Sequence, residues 1–467
     1  MLLNCYQNKI FCTTYRHIQM KTHAYYLLLL CFLLITAHTS AIKPDNNGNV
    51  QLIVQTTQGK VKGFTDQGIS IWKGIRYAKA PVGDLRFRAP QPADAWDTVQ
   101  LTTTYGTDAP QSKSRLSSDG PQSEDCLFLN IWSPAADGKK RPVMFWIHGG
   151  GFVIGSGAAE MYDGKKFAAT GDVVLVTINY RLGPLGFLYF GNAGEANLGF
   201  ENNLGIRDQI AALKWVKENI AQFGGDPSQV TIFGESAGGT SVETLLATKS
   251  AKGLFKRAIA ESGPAAMIWQ PQVGLAFTQK FLSILGINPD SLHLLKTLPV
   301  DTIRMASDKL GKYMVQETNN KVFAPTIDGS ILTNDIFSCL KPEQSGDVAL
   351  MIGTNKNEIT MFASKKLKMA PRNAKQLDKY FDDIAKGSKA KVTSAYSSYP
   401  KKSGVSDILT DAVFRIPCVR LAECQSQHAP VYMYRFEWTS FALNAAGLKS
   451  FHGLEIPFVF GNTDNGR

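Results

Sequence analysis

Ser236 stands in the pentapeptide Gly234-Glu235-Ser236-Ala237-Gly238, entered through Val230-Thr231-Ile232-Phe233 and left by a helix-forming stretch. A strand that turns sharply into a helix at a serine pushes its hydroxyl into the open, where it can attack a carbonyl carbon. The flanking glycines fit that reading, because a Cβ at Gly234 or Gly238 would collide with backbone in so tight a turn. The helix that begins after Ser236 also aims its first amides at the reacting centre. The chemistry implied is acyl transfer through a covalent serine intermediate.

Such chemistry needs three further parts. Negative charge develops on the former carbonyl oxygen and calls for backbone N–H donors already aimed at it. The run His148-Gly149-Gly150-Gly151 follows an apolar strand candidate. The amides of Gly150 and Gly151, with that of Ala237, are the expected oxyanion hole. A phosphate loop is the rival, but no Gly-Lys-Ser/Thr follows. The serine needs a base, and among His293, His428 and His452 only His452 comes after a strand and a short polar loop. The base needs a carboxylate to hold its tautomer. Glu358 follows the strand Leu350-Met351-Ile352-Gly353 and gives the chain order Ser, Glu, His. Asp328 is the competing acid, although Asp328-Gly329 after Pro325 reads more simply as a turn. A histidine base predicts activity that is lost in acid. The mechanism calls on no cofactor and no metal.

These parts must be positioned by a sheet. Strands are expected at Val143–Ile147, Val173–Asn179, Val230–Phe233, Ala349–Gly353 and Val431–Phe436, all near-continuous apolar runs of the kind buried in a sheet covered on both faces. Ile206, Ile210, Leu213, Val216 and Ile220 recur at helical spacing, predicting a helix from Leu204 to Gln222 that Gly224-Gly225 ends. Alternating strands and helices imply an α/β fold with a mostly parallel sheet flanked by helices. Each reactive group follows a strand, and in such sheets the active crevice lies at the strands' carboxyl ends.

The chain of 467 residues is long enough for one large α/β domain, and its net charge is +11. Lys365 to Lys402 holds eleven basic residues against Asp378, Asp382 and Asp383, which accounts for most of that excess. The stretch has only scattered aromatics and no nucleic-acid motif, so it reads as a solvated face and no nucleic-acid partner is expected. Residues 1–41 read as an N-terminal extension and signal peptide. The apolar run Ala24–Ala37 follows Lys9, Arg16 and Lys21, and cleavage is expected after about Ala41. Met20 is an alternative start to Met1, and an uncleaved anchor an alternative to cleavage. The expectation is secretion, with no membrane span after cleavage. Secretion predicts disulfides among Cys126, Cys339, Cys418 and Cys424, which allow three pairings.

From about Gln55 to Asn462 the chain resembles the type-B carboxylesterases, the family that includes the cholinesterases. The resemblance rests on Gly74-Ile75-Arg76-Tyr77-Ala78, Arg86-Phe87-Arg88-Ala89-Pro90, Ser123-Glu124-Asp125-Cys126-Leu127 and Asn179-Tyr180-Arg181-Leu182-Gly183, besides the elbow and Phe451-His452-Gly453-Leu454-Glu455-Ile456-Pro457-Phe458. It implies an α/β-hydrolase fold over residues 42–467. It also implies roles for Ser236 as nucleophile, Glu358 as relay acid and His452 as base, with Ser262 near the acid. The family pairs the cysteine matching Cys126 with one upstream. Ala109 occupies that upstream position, so Cys126 is expected as a free thiol. A second family disulfide is replaced by apolar residues near Ile287 and Leu294.

Relatives continue well past the position of Arg467, so the domain is expected to be C-terminally truncated. Cholinesterases hold their cation on an aromatic ring in the loop before Glu-Asp-Cys-Leu. Here Gln111 to Gln122 contains no aromatic residue, so choline esters are not the expected substrate. Small-molecule or lipid esters are. The alternatives are a non-catalytic binding or adhesion protein on the same fold, or an inactive truncated form.

Overall fold

The computed structural model describes residues 52–463, apart from 115, 192–197, 318–322, 339–343, 345, 346 and 386. The expected signal peptide and Cys339 lie outside the described residues. Residues 50–467 form one compact unit.

Two sheets are present among the described residues. A small one joins β1 (Ile53–Gln55), β2 (Lys60–Lys62) and β5 (Gln100–Leu101). The large one has nine strands, in the order β12-β11-β10-β9-β7-β8-β6-β4-β3. Its members are β3 (Phe64–Asp66), β4 (Ile69–Arg76), β6 (Phe128–Ser133), β7 (Arg141–Ile147), β8 (Val174–Ile178), β9 (Gly225–Glu235), β10 (Arg257–Glu261), β11 (Ala349–Asn355) and β12 (Val431–Phe436). From β8 through β12 every pairing is parallel. The β3–β4, β4–β6 and β6–β8 pairings are antiparallel. This is the α/β-hydrolase architecture expected, with an antiparallel flank.

The apolar runs follow from two-sided burial. Phe145, Val176 and Ile232 enter the main core, while their neighbours Trp146, Leu175 and Phe233 enter a second core on the opposite face. Successive side chains in a strand point to opposite faces, so a strand covered twice must be apolar throughout. Helix α1 (Leu204–Asn219) buries Ile206, Ile210, Leu213 and Val216, then tightens into a 3-10 turn over Ile220–Phe223. Gly224 stops it at φ +86°, where a Cβ would lie 2.3 Å from the Ala135 carbonyl oxygen. A third, smaller core gathers Leu377 and Phe381 of α4 (Ala374–Ile384), Val405, Ile408 and Leu409 of α5 (Lys402–Thr410), and Phe414. The other helices used below are α2 (Ala237–Ala247), α3 (Val300–Glu317), α6 (Ile416–Gln425) and α7 (Ile456–Val459).

One strand departs from expectation. β12 is not a buried central strand but the sheet edge, and Tyr432 is 63 % exposed. It has a partner on one side only, which an apolar run by itself does not reveal. Cys126 is a buried thiol, as the replacement of its upstream partner by Ala109 implied, and Cys418 is a buried thiol too, where secretion alone predicts a disulfide.

Candidate active site

β7, β9, β10, β11 and β12 are neighbours in the sheet and run parallel. Their carboxyl ends deliver, in turn, the glycine loop after Ile147, Ser236, Ser262, Glu358 and the segment leading to His452. Groups far apart in the chain thus meet at one rim.

Ser236 joins β9 to α2 with φ +59° and ψ −120°, a conformation that costs a non-glycine residue on the order of 1–3 kcal/mol. Its amide donates to the Glu261 carbonyl (2.9 Å), and its carbonyl accepts from the Thr240 amide (2.9 Å). A Cβ on Gly234 would stand 2.6 Å from the Ile147 carbonyl oxygen, and one on Gly238 only 2.0 Å. The strained turn therefore packs directly on the end of β7.

His452 is 6 % exposed, and its Nδ1 donates to Glu358 Oε2 at 2.7 Å. The carboxylate can only accept, which leaves Nε2 as the face available to a reacting proton. Nε2 lies 3.1 Å from Glu235 Oε1, on the residue that immediately precedes Ser236. Among the described residues no hydrogen bond joins Ser236 Oγ to Nε2, and catalytic hydrogen bonds of this kind often tighten only with substrate bound. The rings of Phe362 and Phe414 pack on the imidazole at centroid distances of 5.0 and 4.9 Å.

The loop carrying His452 is fastened to β11 and β12. Asn355 Nδ2 donates to the Phe451 carbonyl (2.7 Å), and the Asn357 amide to the Ser450 carbonyl (3.0 Å). Ser450 Oγ reaches the carbonyls of Phe436 (3.0 Å) and Trp438 (2.9 Å).

Glu358 is fully buried. Its Oε1 accepts from the Asn355 amide (2.6 Å) and from Ser262 Oγ (2.7 Å). Asp328 is elsewhere: its Oδ1 accepts from the amides of Ser330, Ile331 and Leu332, closing a turn. The carboxylate on the imidazole is Glu358.

In the glycine loop Gly150 and Gly151 have φ of +107° and +63°. Among the described residues the amides of Gly150 and Gly151 donate to no protein acceptor, and Ala237 is the first residue of α2, where a helix has none to offer. Gly149 lies against Ser236, since a Cβ there would be 3.2 Å from the Ser236 Cβ. His148 stacks on Tyr180 (4.4 Å), and burial lowers its pKa to about 4, so it is a neutral support for the loop.

The sequence reading missed the buried carboxyls that surround Glu358. Glu235, Glu261, Glu358 and Glu455 all lie at the rim, each under 6 % exposed. Glu455 Oε2 accepts from Asn355 Nδ2, and Oε1 is 3.4 Å from Ser262 Oγ. Burial, reinforced by Glu235 and then Glu358, pushes its carboxyl up to about 8. Burial also raises Glu261, with Glu455 and Glu235 adding to it. A lone charge inside the apolar run Gly453-Leu454-Glu455-Ile456-Pro457-Phe458 was the available signal. Glu243, inside α2, is likewise fully buried and raised by burial.

The model of the carboxylesterase family matches residues 50–464. The chain is 42 % identical over 417 residues to a para-nitrobenzyl esterase of Bacillus subtilis, covering 88 % of this chain and 83 % of that one. It is 36 % identical over 459 residues to a liver carboxylesterase of Sus scrofa (88 % and 80 %). Among solved structures, a PNB esterase superposes with TM-score 0.78 at 39 % identity, covering 89 % of this chain and 86 % of that one. A Geobacillus stearothermophilus carboxylesterase gives TM-score 0.78 at 40 % identity (88 % and 84 %).

Proposed function

Since the chain belongs to the carboxylesterase family and is a serine carboxylesterase, we propose that Ser236, Glu358 and His452 are its catalytic triad and that it hydrolyses small-molecule or lipid esters through an acyl-enzyme. The observation that carries this reading is the short Nδ1 bond from His452 to buried Glu358, with the other face of the ring turned to residue 235 at the elbow. His452 takes the Ser236 proton, and the alkoxide adds to the ester carbonyl. The oxyanion rests on the amides of Gly150, Gly151 and Ala237. His452 then protonates the departing alcohol, and water repeats the sequence to release the acid. Glu358 accepts from Nδ1 and steadies the imidazolium, while Ser262 and the Asn355 amide hold its second oxygen.

Secretion is part of the proposal, on the strength of the N-terminal apolar run. Intact mass of the protein recovered from culture medium tests it, and a product retaining residues 1–41 counts against cleavage. For the triad, a fluorophosphonate probe should label the folded wild type and fail to label Ser236→Ala. Failure to label folded wild type would favour a binding protein on the same fold. A chain-length series of p-nitrophenyl esters then ranks the acyl groups accepted.

A further inference from the structure

The glycine loop is held partly from within, since the Gly150 carbonyl accepts from the amides of Val153 and Ile154 (3.2 Å each), and partly from outside. Its outgoing limb, His148–Gly150, is pressed by its return limb, Ile154–Gly155. A Cβ on Gly150 would be 2.0 Å from the Ile154 carbonyl oxygen, and one on Gly155 2.3 Å from the His148 ring and 2.6 Å from the Gly149 carbonyl oxygen. A shift of Gly155 therefore pushes on residues 148–150 and, through them, on the glycine amides.

Gly155 is gripped by a side chain from a different part of the chain. Gln111 is 4 % exposed. Its Oε1 accepts from the Gly155 amide (2.7 Å), and its Nε2 donates back to the Gly155 carbonyl (2.8 Å) and to the Ala109 carbonyl (3.0 Å). Two carbonyls on one end and an N–H on the other fix the orientation of the amide group. Gln111 is itself anchored, because its backbone amide donates to Gln122 Oε1 (3.0 Å). Among the described residues, the only other side chain from outside the loop bonded to residues 148–155 is Tyr180, on the His148 carbonyl (2.8 Å).

We propose that Gln111 is a positioning residue for oxyanion stabilisation, setting the aim of the glycine amides through its two-way bond to Gly155. This rests on the proposed oxyanion hole. Gln111 does not touch the ester. It acts on an interaction that strengthens only as the tetrahedral oxyanion forms, so its loss should appear in kcat and spare KM. Glutamine is required because the site needs a donor and an acceptor on one rigid plane. Glutamate would set a second acceptor against the Gly155 carbonyl, and methionine offers neither bond.

The test compares wild type, Gln111→Met, Gln111→Glu and Ser112→Ala. Ser112 bonds Asp308 of α3 and not the glycine loop, so it controls for general loosening of the same segment. Steady-state kinetics on p-nitrophenyl butyrate are measured with the Ki of an aryl trifluoromethyl ketone, to which Ser236 adds as a hemiketal oxyanion. We expect kcat to fall roughly ten- to a hundred-fold in both Gln111 variants, with KM within about threefold and Ki rising in step with the loss of kcat/KM. Ser112→Ala should leave kcat and Ki within about twofold. Folded Gln111 variants with unchanged Ki, or with only KM raised, overturn the proposal. So does failure of both to fold, which would make the clamp a folding element. If the ketone forms no adduct with wild-type Ser236, the underlying triad reading fails instead.

Discussion

Replacing Glu455 by glutamine should free the protein from a stability loss that grows with pH. The ordinary carboxyl value is 4.5, and burial beside Glu235 and Glu358 moves Glu455 to about 8. Below 4.5 the folded and unfolded chains both hold the proton. Between 4.5 and about 8 the unfolded chain releases it and the folded chain keeps it, so folding stability falls as pH rises and levels off above about 8. At about 1.4 kcal/mol per pH unit the loss across that window is on the order of 5 kcal/mol. Glutamine has no proton to lose and keeps the same outline, with an oxygen for Asn355 and an amide beside Ser262. With an unfolding entropy of ~2.1 cal/mol/K per residue, a chain this long gains about 1 °C in Tm for each kcal/mol. Melting of wild type and Glu455→Gln should therefore coincide near pH 5 apart from a constant offset, and the variant should pull ahead by about 4 °C at pH 8.5. A difference that stays level across this range would refute the reasoning, because it would mean the carboxylate is ionised throughout and satisfied by its neighbours.

Glu243→Met should stabilise the fold by about 1–3 kcal/mol in urea titrations, since among the described residues neither carboxyl oxygen has a hydrogen-bond partner and the site is fully buried. The gain should be larger at pH 8 than at pH 5, in line with the raised carboxyl. Gly238→Ala should abolish probe labelling at Ser236 or prevent soluble folding, as the added carbon meets the Ile147 carbonyl at 2.0 Å; labelling at the wild-type rate would contradict the packing described for the elbow.

The elbow, the glycine loop and the order of the three reactive groups were legible because each is a local pattern. Glycines at 234 and 238 report steric crowding that any chain in this turn must relieve. The central strands were legible because two-sided burial leaves an unbroken apolar run. β10 escaped notice: Arg257-Ala258-Ile259-Ala260-Glu261 is flanked by charges and carries small side chains, and its place between β9 and β11 is a tertiary fact. β12 looked central for the converse reason. Glu455, Asn355 and Gln111 were invisible as functional candidates, since their meaning lies in partners roughly 40 to 190 residues away, which no local spacing encodes. Chain order fits Asp328 as well as Glu358, and Glu358 is preferred because it follows a strand while Asp328-Gly329 reads as a turn. The structure gives the physical reason, with one carboxylate consumed by its own turn and the other presented to an imidazole.

Phe414 stands in a π-helical turn, Asp411–Arg415, wedged between α5 and α6, and belongs to the small third core that Phe362 packs against. Both rings that brace His452 are therefore supplied by a satellite lobe with its own interior, while the serine is braced by the main sheet. Mild heat that loosens the lobe should therefore release the imidazole of His452 from its cradle and lower turnover while Ser236 and the main sheet stay in place, which activity and far-UV dichroism followed along one melt would check.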